Sequence, residues 1–543
     1  MKIMKKLLLF VCFIFTFSVY SQEDAWVYFT NKPNSQFYFD NPLEMLTQRS
    51  LDRRINQNIA IDIKDVPIHQ PYVDLIIASN GIQVKAKSKW LNAVHIRGTI
   101  TNINALTTLN FVDHIHFANP SLNASGRISN LKKTKALNKV LETNTTFAYG
   151  NSGNQIQMLN GHLLHQQNFT GTGKIIAVLD AGFPNVDIIA PFQRLRDNNQ
   201  ILGGYNFVDH NNLFYTGNSH GTLVLSTMGG YVENQLVGTA PDAQYYLFIT
   251  EDNADENPVE ESYWVEGAEE ADRLGVDVIS TSLGYFDYPN YPTYSYNYSD
   301  MTGNFAFASQ GANIAFSKGI IVVASAGNSG ASTTNPHIGI PAEATNVLAV
   351  GAVKADETYA TFSSIGPSFD QRVKPDVMAQ GQSSVLSNTS GAITTASGTS
   401  FSGPIMAGAI ASFWQAFPNL TNQQIVDLVR QSADRFSNPN AQFGYGIPDF
   451  QLALTNGLLQ LNSILNYNFI VSPNPANHYV CISFPNHFSK ATFLLFNSLG
   501  QLVMEKESFE SNATISLEKI NSGVYFYKIE SGSFTQTGKI IRN

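Results

Sequence analysis

Residues 398–404 read Gly-Thr-Ser-Phe-Ser-Gly-Pro, and an apolar run over residues 405–417 follows at once. Small residues leading into an apolar run predict a helix that begins at Ser400, with Pro404 tolerated because the first helical turn has spare N–H groups. The Ser400 hydroxyl would then lie at a helix N-terminus, where partial positive charge favours the anion that acyl transfer to a hydroxyl produces. Because a serine hydroxyl is a weak nucleophile, the pattern predicts a histidine base and an orienting acid elsewhere in the chain.

The length and charge of the chain limit the number of domains and the kinds of partner to consider. One hydrophobic core usually supports about 250 to 300 residues, so a chain of 543 residues is expected to hold two or more domains. The formal net charge is −9, and only 14% of the residues are charged. This balance offers no basic surface for nucleic acid and no polybasic membrane patch, so we expect no nucleic-acid partner.

The first 21 residues have the pattern of a signal peptide, with a positive start, an apolar run over residues 7–19 and a small residue, Ser21, before the cut. A membrane anchor is the alternative, but the run is shorter than the ~20 apolar residues that a span needs, and we expect no transmembrane anchor in the mature chain. Cys12 lies in this segment, so the exported chain would keep Cys481 alone and form no intramolecular disulfide.

Residues 22–120 predict a small α+β module. It comprises strands over 25–30, 82–86 and 91–96, and helices over 42–56 and from 72 to near 81. His69, His95, His114 and His116 fall in it, and His114 with His116 could place two imidazoles on one strand face for a metal. No third ligand is clearly placed, so we interpret them as surface histidines. Residues 121–148 are mostly polar and are predicted to be a linker.

From residue 149 on, buried strands alternate with helices, which predicts a parallel sheet. The strand patterns cover 174–180, 244–248, 276–284 and 319–328, and the helices between them cover 260–274 and 304–318. A Tyr- and Pro-rich stretch, residues 285–298, is interpreted as an exposed loop and a candidate substrate rim, with a packed loop as the alternative.

Three polar residues stand at the ends of these elements. Asp180 closes the first strand, where ligands and catalytic groups collect in open α/β sheets, although an Asp there can also simply cap the next element. His220 stands in the first turn of a predicted helix, a position that is ordinarily unremarkable. Asn328 follows a strand and could donate to an oxyanion, or serve as a turn residue.

The order Asp180, His220, Asn328, Ser400 is that of subtilisin, and over residues 149–460 the chain resembles the subtilisin-like serine proteases. The resemblance rests on five motifs: residues 176–182, His220-Gly221-Thr222, Ser282-Leu283-Gly284, residues 324–328 and residues 398–404. It implies a parallel sheet flanked by helices and hydrolysis of peptide bonds, and it predicts a serine endopeptidase whose substrates are extended polypeptides.

The resemblance also implies roles. Ser400 would attack, His220 would shuttle the proton, Asp180 would stabilise the imidazolium, and Asn328 with the Ser400 backbone N–H would bind the oxyanion. The expected substrate-binding residues are Ser282, Leu283 and Gly284, which would pair with the substrate as an added strand, and Ser325, Ala326 and Gly327, which would border the pocket for the residue before the cut. No cofactor is required; structural calcium is common in the family, but no Asp/Asn cluster assigns a site here.

The chain departs from the family pattern at two places. Ala181 follows the acid where the family more often has Thr or Ser, which removes a hydroxyl that could support Asp180. Phe401 and Ser402 follow the nucleophile where Met-Ala is common.

The flanking parts add two further expectations. Residues 22–120 are similar in position to the family's inhibitory propeptide, with a separate binding domain as the alternative. Residues 468–543 resemble the C-terminal sorting domain of type IX secretion, and their short alternating strands predict a small β-sandwich; a stabilising appendage is the alternative. The sorting interpretation implies the type IX machinery as a partner and an extracellular or cell-surface location in a Gram-negative bacterium.

Two other functions compete with the protease. A catalytically silent surface binding protein would keep the fold, but the loss of a triad residue that would favour it is not seen. A lipase or esterase would carry Gly-x-Ser-x-Gly at the nucleophile, and position 402 is Ser.

Overall fold

A computed structural model describes residues 22–123, 147–466, 469–483, 490–509, 512–531 and 534–543. The predicted signal peptide, residues 1–21, and most of the predicted linker, residues 124–146, lie outside the described residues. The chain forms two compact units, one containing the described residues up to 451 and the other the residues from 452 onward. In the part of the chain that the structure describes, no helix is long and apolar enough to cross a membrane.

The N-terminal module is an antiparallel four-stranded sheet with helices packed on it. Its elements are β1 (Gln22–Phe29), α1 (Ser35–Asp40), α2 (Gln48–Asn56), α3 (Gln70–Ile77), β2 (Ile82–Ser88), β3 (Ala93–Thr99), α4 (Ile100–Ala105) and β4 (Val112–Phe117). The strand order is β2-β3-β1-β4. The single helix predicted over residues 42–56 is wrong: a 3₁₀ turn over Pro42–Glu44 comes first, and α2 starts anew where the Thr47 hydroxyl caps it by accepting from the Ser50 N–H.

His95 of this module is not a surface residue. Its side chain is buried, with Nδ1 2.8 Å from Ser262 Oγ and Nε2 3.1 Å from Asp24 Oδ1. Both ring nitrogens have partners, which is what makes burial of an imidazole tolerable. His114 is exposed as predicted and stacks on Tyr28, with ring centroids 4.2 Å apart.

A seven-stranded sheet forms the centre of the larger unit, and all of its strand pairs are parallel, which confirms the predicted sheet. Its order is β13-β12-β11-β10-β5-β9-β6. The strands are β5 (Ile175–Asp180), β6 (Ile201–Asn206), β9 (Gln244–Ile249), β10 (Val278–Thr281), β11 (Ile321–Ser325), β12 (Leu348–Val353) and β13 (Val377–Gln380). Every residue of β5, β10, β11, β12 and β13 is buried, as expected of strands covered on both faces.

Helices and short strands surround this sheet. The helices are α5 (Gly153–Gln157), α6 (Gly161–Gln166), α7 (Gln193–Asp197), α8 (His220–Gly229), α9 (Val259–Leu274), α10 (Phe307–Ser317), α11 (Thr399–Ala416) and α12 (Asn422–Gln431). Helix α13 (Phe450–Asn466) follows and belongs almost entirely to the C-terminal unit. The short strands are β7 (Tyr231–Val232), β8 (Leu236–Val237), β14 (Ser384–Ser387) and β15 (Ile393–Ala396), paired as two hairpins.

Helix α11 passes through the core against α8 and the strands β10 to β13. It begins at Thr399, so Pro404 lies in its second turn, and the prediction that this proline occupies the first turn is wrong. A proline at that place cannot donate to the carbonyl four residues earlier, that of Ser400. The Ser282 hydroxyl donates to this carbonyl instead, at 3.0 Å, so a strand end supplies the bond that the helix lacks.

Of the two interpretations of residues 285–298, the structure favours the packed loop, although several of its polar and proline residues are exposed. Tyr285, Tyr288 and Tyr294 are buried in the main core. The hydroxyls of Tyr288 and Tyr296 donate to Glu261 Oε1 on α9, at 3.1 and 2.7 Å. Proline breaks the regular pattern here, but the tyrosines bring large apolar rings, and the polar tips of Tyr288 and Tyr296 share a buried acceptor, so this part of the stretch packs against the core.

The C-terminal unit is a β-sandwich, as predicted. Its strands are β16 (Ile470–Ser472), β17 (Tyr479–Ser483), β18 (Ala491–Phe496), β19 (Leu502–Phe509), β20 (Ala513–Ser516), β21 (Gly523–Ser531) and β22 (Phe534–Arg542). They form one sheet of order β16-β17-β20 and another of order β19-β18-β21-β22. Residues of both sheets, such as Ile482 and Ile515 on one and Phe493 and Ile529 on the other, meet in one buried cluster.

Candidate active site

The predicted site residues collect at one edge of the parallel sheet. Strands β11, β10 and β5 are neighbours, and their register places Ala324, Thr281 and Leu179 side by side. Asp180 follows at the end of β5 and Ser282 at the end of β10. Because parallel strands all end at the same edge, the polar residues after them face a common space.

Asp180 and His220 form a direct pair. Asp180 is fully buried, and its Oδ1 lies 2.8 Å from Nδ1 of His220 while also accepting from the Ala181 N–H at 2.7 Å. The ionised carboxylate can only accept, so Nδ1 carries the proton and Nε2 is left as a proton acceptor. His220 begins helix α8, and its backbone N–H donates to Asn218 Oδ1 at 2.9 Å, which fixes the start of the helix.

The charge of Asp180 controls the protonation of His220. Coulombic attraction to this carboxylate, helped by their hydrogen bond, raises the pKa of the His220 imidazole above its usual 6.5, although burial acts in the opposite direction. The pair is therefore built to stabilise a positive charge on the imidazole.

Ser400 lies in the first turn of α11, half-buried, next to this pair. The rings of His220 and Phe401 have centroids 6.2 Å apart, which brings the imidazole beside the start of the helix. No hydrogen bond joins Ser400 Oγ to His220 among the described residues. Such bonds are often long in the absence of substrate and tighten when it binds.

Thr399 orients Asn328, a role that the sequence reasoning did not assign. Asn328 Oδ1 accepts from the Thr399 N–H at 2.9 Å and from its hydroxyl at 3.0 Å. Thr399 Oγ1 in turn accepts from the Gly327 N–H at 3.1 Å. With Oδ1 occupied, the Asn328 NH₂ group is left as the free end of the amide. The sequence feature that could have indicated this role is the position of Thr399 directly before Ser400.

Two donors face the same space beside Gly398. A point at the place of a Cβ on Gly398 lies 3.7 Å from Asn328 Nδ2 and 3.7 Å from the Ser400 backbone nitrogen. The Ser400 N–H is one of the first N–H groups of α11, which have no partner within the helix. The arrangement can hold a small negatively charged oxygen between a side-chain amide and a helix N-terminus.

The six residues predicted to bind substrate lie on two neighbouring segments. Ser282, Leu283 and Gly284 continue from β10; Ser325 ends β11, and Ala326 and Gly327 follow it. The next residue, Tyr285, donates its N–H to the Ile340 carbonyl at 2.9 Å. Gly284 is exposed, while Ser325 and Ala326 are buried.

The lack of a hydroxyl at position 181 agrees with the hydrogen bonding of Asp180. Asp180 Oδ2 is buried and accepts no hydrogen bond from any of the described residues. One oxygen of the acid therefore carries both of its bonds, while the other oxygen lacks the support that a hydroxyl at position 181 could give.

No group of three or more His, Cys, Asp or Glu side chains suited to a metal occurs within the described ranges. The possible pair at His114 and His116 therefore gains no third such ligand there.

Comparison with known families gives three matches along the chain. Residues 171–446 match the Subtilase family, Peptidase S8. Residues 24–137 match the Peptidase S8 propeptide domain of Bacteroidota, and residues 471–543 match the secretion system C-terminal sorting domain. The three matches follow one another in the order of the N-terminal module, the parallel-sheet domain and the β-sandwich.

Individual relatives resemble the central part. Subtilisin NAT of Bacillus subtilis subsp. natto is 31% identical over 330 residues, which cover 60% of this chain and 77% of the relative. Subtilisin DY of Bacillus licheniformis is 30% identical over 292 residues, covering 54% of this chain and 93% of the relative. Alkaline elastase YaB of Bacillus sp. (strain YaB) is 30% identical over 301 residues, which cover 55% of this chain and 69% of the relative.

Proposed function

The chain belongs to the subtilase family of serine endopeptidases and carries a C-terminal secretion sorting domain, and from this premise we propose that Ser400, His220 and Asp180 are its catalytic triad and that Asn328 supplies an oxyanion donor. The observation that carries the proposal is the 2.8 Å bond between the buried Asp180 and Nδ1 of His220. It leaves Nε2 as the base of an imidazole that lies beside the start of α11.

In the proposed reaction, Nε2 of His220 takes the Ser400 proton as Oγ attacks the carbonyl carbon of the scissile bond. Asp180 stabilises the imidazolium that forms, in line with its effect on the pKa of His220. The imidazolium then gives this proton to the leaving amine. A water molecule activated by the same imidazole hydrolyses the acyl-enzyme and restores Ser400.

The oxyanion of each tetrahedral intermediate would accept from Asn328 Nδ2 and the Ser400 N–H. Support comes from the position of both donors beside Gly398 and from Thr399, whose N–H and hydroxyl occupy the amide oxygen of Asn328 and so fix which end of the amide can donate. Donors fixed before the reaction do not need to reorganise as the charge develops.

The proposed substrate is an extended polypeptide. Residues 282–284 would add it as a strand by backbone hydrogen bonds, and residues 325–327 would border the pocket for the side chain before the cut. No cofactor is assigned a part in the reaction.

We also propose that residues 22–120 are removed by a cut within residues 121–148. Residues 468–543 would direct the chain to the type IX machinery, and the peptidase domain would act outside the cell or on its surface. The matches to a Bacteroidota propeptide and to a sorting domain support this division.

A fluorophosphonate probe tests the catalytic assignment. The full chain is labelled and digested, and the labelled peptide is identified by mass spectrometry, while casein cleavage is followed in parallel. We expect the label on Ser400 and a loss of casein cleavage in proportion to labelling. A folded, fully processed chain that neither labels nor cleaves casein would instead be the catalytically silent binding protein.

Asn328→Ala is expected to lower kcat by about 10²- to 10³-fold with little change in KM, because the lost NH₂ group binds the oxyanion and not the ground-state carbonyl. The measurement is steady-state kinetics on a chromogenic peptide. Ser329→Ala is the matched control, since Ser329 is the exposed next residue and its hydroxyl makes no hydrogen bond among the described residues. An unchanged kcat, or a loss confined to KM, would contradict the oxyanion role of Asn328.

The pH profile should show an acidic limb above pH 6.5. The neutral imidazole is the base, and Asp180 raises the pKa of His220, so kcat/KM is expected to fall as the pH drops through a value above 6.5. The measurement is kcat/KM against pH at constant ionic strength, with circular dichroism at each pH to exclude unfolding. A limb centred at or below 6.5 in a folded chain would contradict the assigned pairing.

A further inference from the structure

Helix α2 of the N-terminal module contacts the peptidase domain where α9 and α10 end. Helices α9 and α10 end near Gly275 and Gly319, whose φ angles are 81° and 90°. A Cβ on Gly275 would lie 2.8 Å from the backbone nitrogen of Ser50, and one on Gly319 would lie 2.8 Å from Nε2 of Gln57. Helix α2 therefore approaches both helix ends more closely than a side chain at either glycine would allow.

Two adjacent arginines of α2, Arg53 and Arg54, insert into the corner between the ends of α9 and α10. Arg53 donates to the Val276 carbonyl at 2.5 Å, to the Lys318 carbonyl at 3.2 Å and to Asp272 Oδ1 at 2.5 Å. Arg54 donates to both oxygens of Asp272, at 2.9 and 2.7 Å. The Arg53 and Arg54 side chains are 5% and 1% exposed, and the Asp272 side chain is 0% exposed.

The module also binds the neighbouring lysine. Lys318 Nζ lies 3.1 Å from Asp65 and 2.9 Å from Asp62, and Asp65 accepts from Arg54 at 3.0 Å. Positive and negative charges of the module and of the peptidase domain thus alternate through one network, which is buried except at Asp62. Geometry of this kind is what makes buried charges tolerable, because every charge faces an opposite one.

Asp272 depends on the module for its partners. Within the described residues, the cations paired with it are Arg53 and Arg54, and the peptidase domain itself supplies none. Once the module departs, the domain keeps a carboxylate and the free carbonyls of residues 276 and 318 at the same place. This set of acceptors matches the planar donors of a guanidinium group.

The corner lies far from the candidate active site. Residues 276 and 318 precede the amino ends of β10 and β11, whereas Ser282 and Asn328 follow their carboxyl ends. The strands separate the two places by roughly 15 Å. Binding at the corner therefore does not require the substrate cleft.

We propose that this corner is a guanidinium-binding exosite, formed by Asp272 and the carbonyls of Val276 and Lys318, whose ligand is the Arg53-Arg54 pair of α2. The exosite holds the N-terminal module on the peptidase domain after the linker is cut, independently of the active site. This inference rests on the proposed cleavage within residues 121–148.

The test uses the full chain carrying Ser400→Ala, with a recognition sequence for a site-specific protease inserted among residues 124–146. The chain is cut by that added protease, and release of the module is followed by size-exclusion chromatography and intact mass. We expect the module to stay bound in the chain with both arginines. In Arg53→Ala/Arg54→Ala and in Asp272→Asn we expect release at least about 30-fold faster, because truncation of a buried charge pair acts mainly on dissociation.

Arg49→Ala is the matched control on the same helix. Arg49 lies 2.6 Å from Asp277, but its side chain is 41% exposed, so its loss should speed release less than about fivefold. Thermal unfolding before the cut shows whether each variant is folded. If the double arginine variant is unfolded, Arg53→Lys replaces it, because lysine keeps the charge but loses the planar donor set. The module should be released faster from Arg53→Lys than from the Arg49→Ala control.

Release from the arginine variant and Asp272→Asn at the rate of Arg49→Ala would overturn the proposal. Faster release in the arginine variant alone would also contradict it, because Asp272 would then not be the anchor. The added protease makes the cut, so these results do not depend on whether Ser400 is the nucleophile.

Discussion

Ser400→Ala is expected to lower kcat by on the order of 10⁶-fold, the magnitude found for the equivalent loss in subtilisin itself. The variant keeps the fold and the oxyanion donors but has no Oγ to form the acyl-enzyme, so what remains is the weak catalysis that these donors and substrate binding provide. Casein hydrolysis and single-turnover kinetics on a chromogenic peptide measure the change, and labelling by the fluorophosphonate should disappear with it.

Ser402→Ala is the matched control for this loss. Ser402 is buried two residues further along α11, and its hydroxyl donates to the Thr399 carbonyl at 3.1 Å. The family commonly has alanine at this place, so activity should stay within a few-fold of the unaltered chain. An equal loss of activity in both variants would indicate damage to the helix. An active Ser400→Ala chain would contradict the catalytic assignment.

Asp180→Asn is expected to lower kcat by about 10⁴-fold. The amide fits the same buried place, but it carries no charge to stabilise the imidazolium, and its NH₂ group can turn towards Nδ1 and reverse the tautomer. Since Coulombic attraction to Asp180 is the largest cause of the raised pKa of His220, the acidic limb should also move to lower pH. Steady-state kinetics against pH measure both effects together.

The control for this substitution is Asp187→Asn. Asp187 is an exposed carboxylate in the loop after β5, so the same change of charge there should leave kcat within about a factor of two. If Asp180→Asn retained more than a tenth of the activity, or left the acidic limb unmoved, Asp180 would not be the partner of the catalytic imidazole.

Burial on both faces gave β5, β10 and β11 a recognisable pattern, although β12, which is equally buried, was not predicted. The runs that end at Asp180 and before Asn328 are continuous, apolar and rich in β-branched residues. Strand β6 lacks this pattern, since it is an edge strand with half-buried residues and contains Gly203 and Gly204. Strand β13 is only four residues long, too short for a pattern to stand out.

The candidate site residues could be named from the sequence, but their supports could not. Chemistry restricts which residue types can work in the order Asp180, His220, Ser400, and their catalytic roles stay a prediction. The bond from Ser282 to the Ser400 carbonyl depends on where α11 begins, and the sequence placed Pro404 in the wrong turn. Tertiary packing, which no local pattern encodes, also decided the burial of His95 and of the tyrosines in residues 285–298.

The exosite residues could not be predicted from the sequence, for a related reason. Arg53 and Asp272 are 219 positions apart, and each alone has the appearance of an ordinary charge on a helix. Their contact exists only because α2 meets the end of α9, which depends on how segments far apart in the sequence pack together.

This buried pairing constrains how such chains can diverge. Under the proposed cleavage the arginines belong to the part that is removed and Asp272 to the part that remains, yet a change on either side alone leaves a charge buried without its partner. A leader segment transplanted from a relative that lacks the two arginines would meet a bare carboxylate. Each leader is thereby matched to its own enzyme, and the two halves of the match must be inherited together.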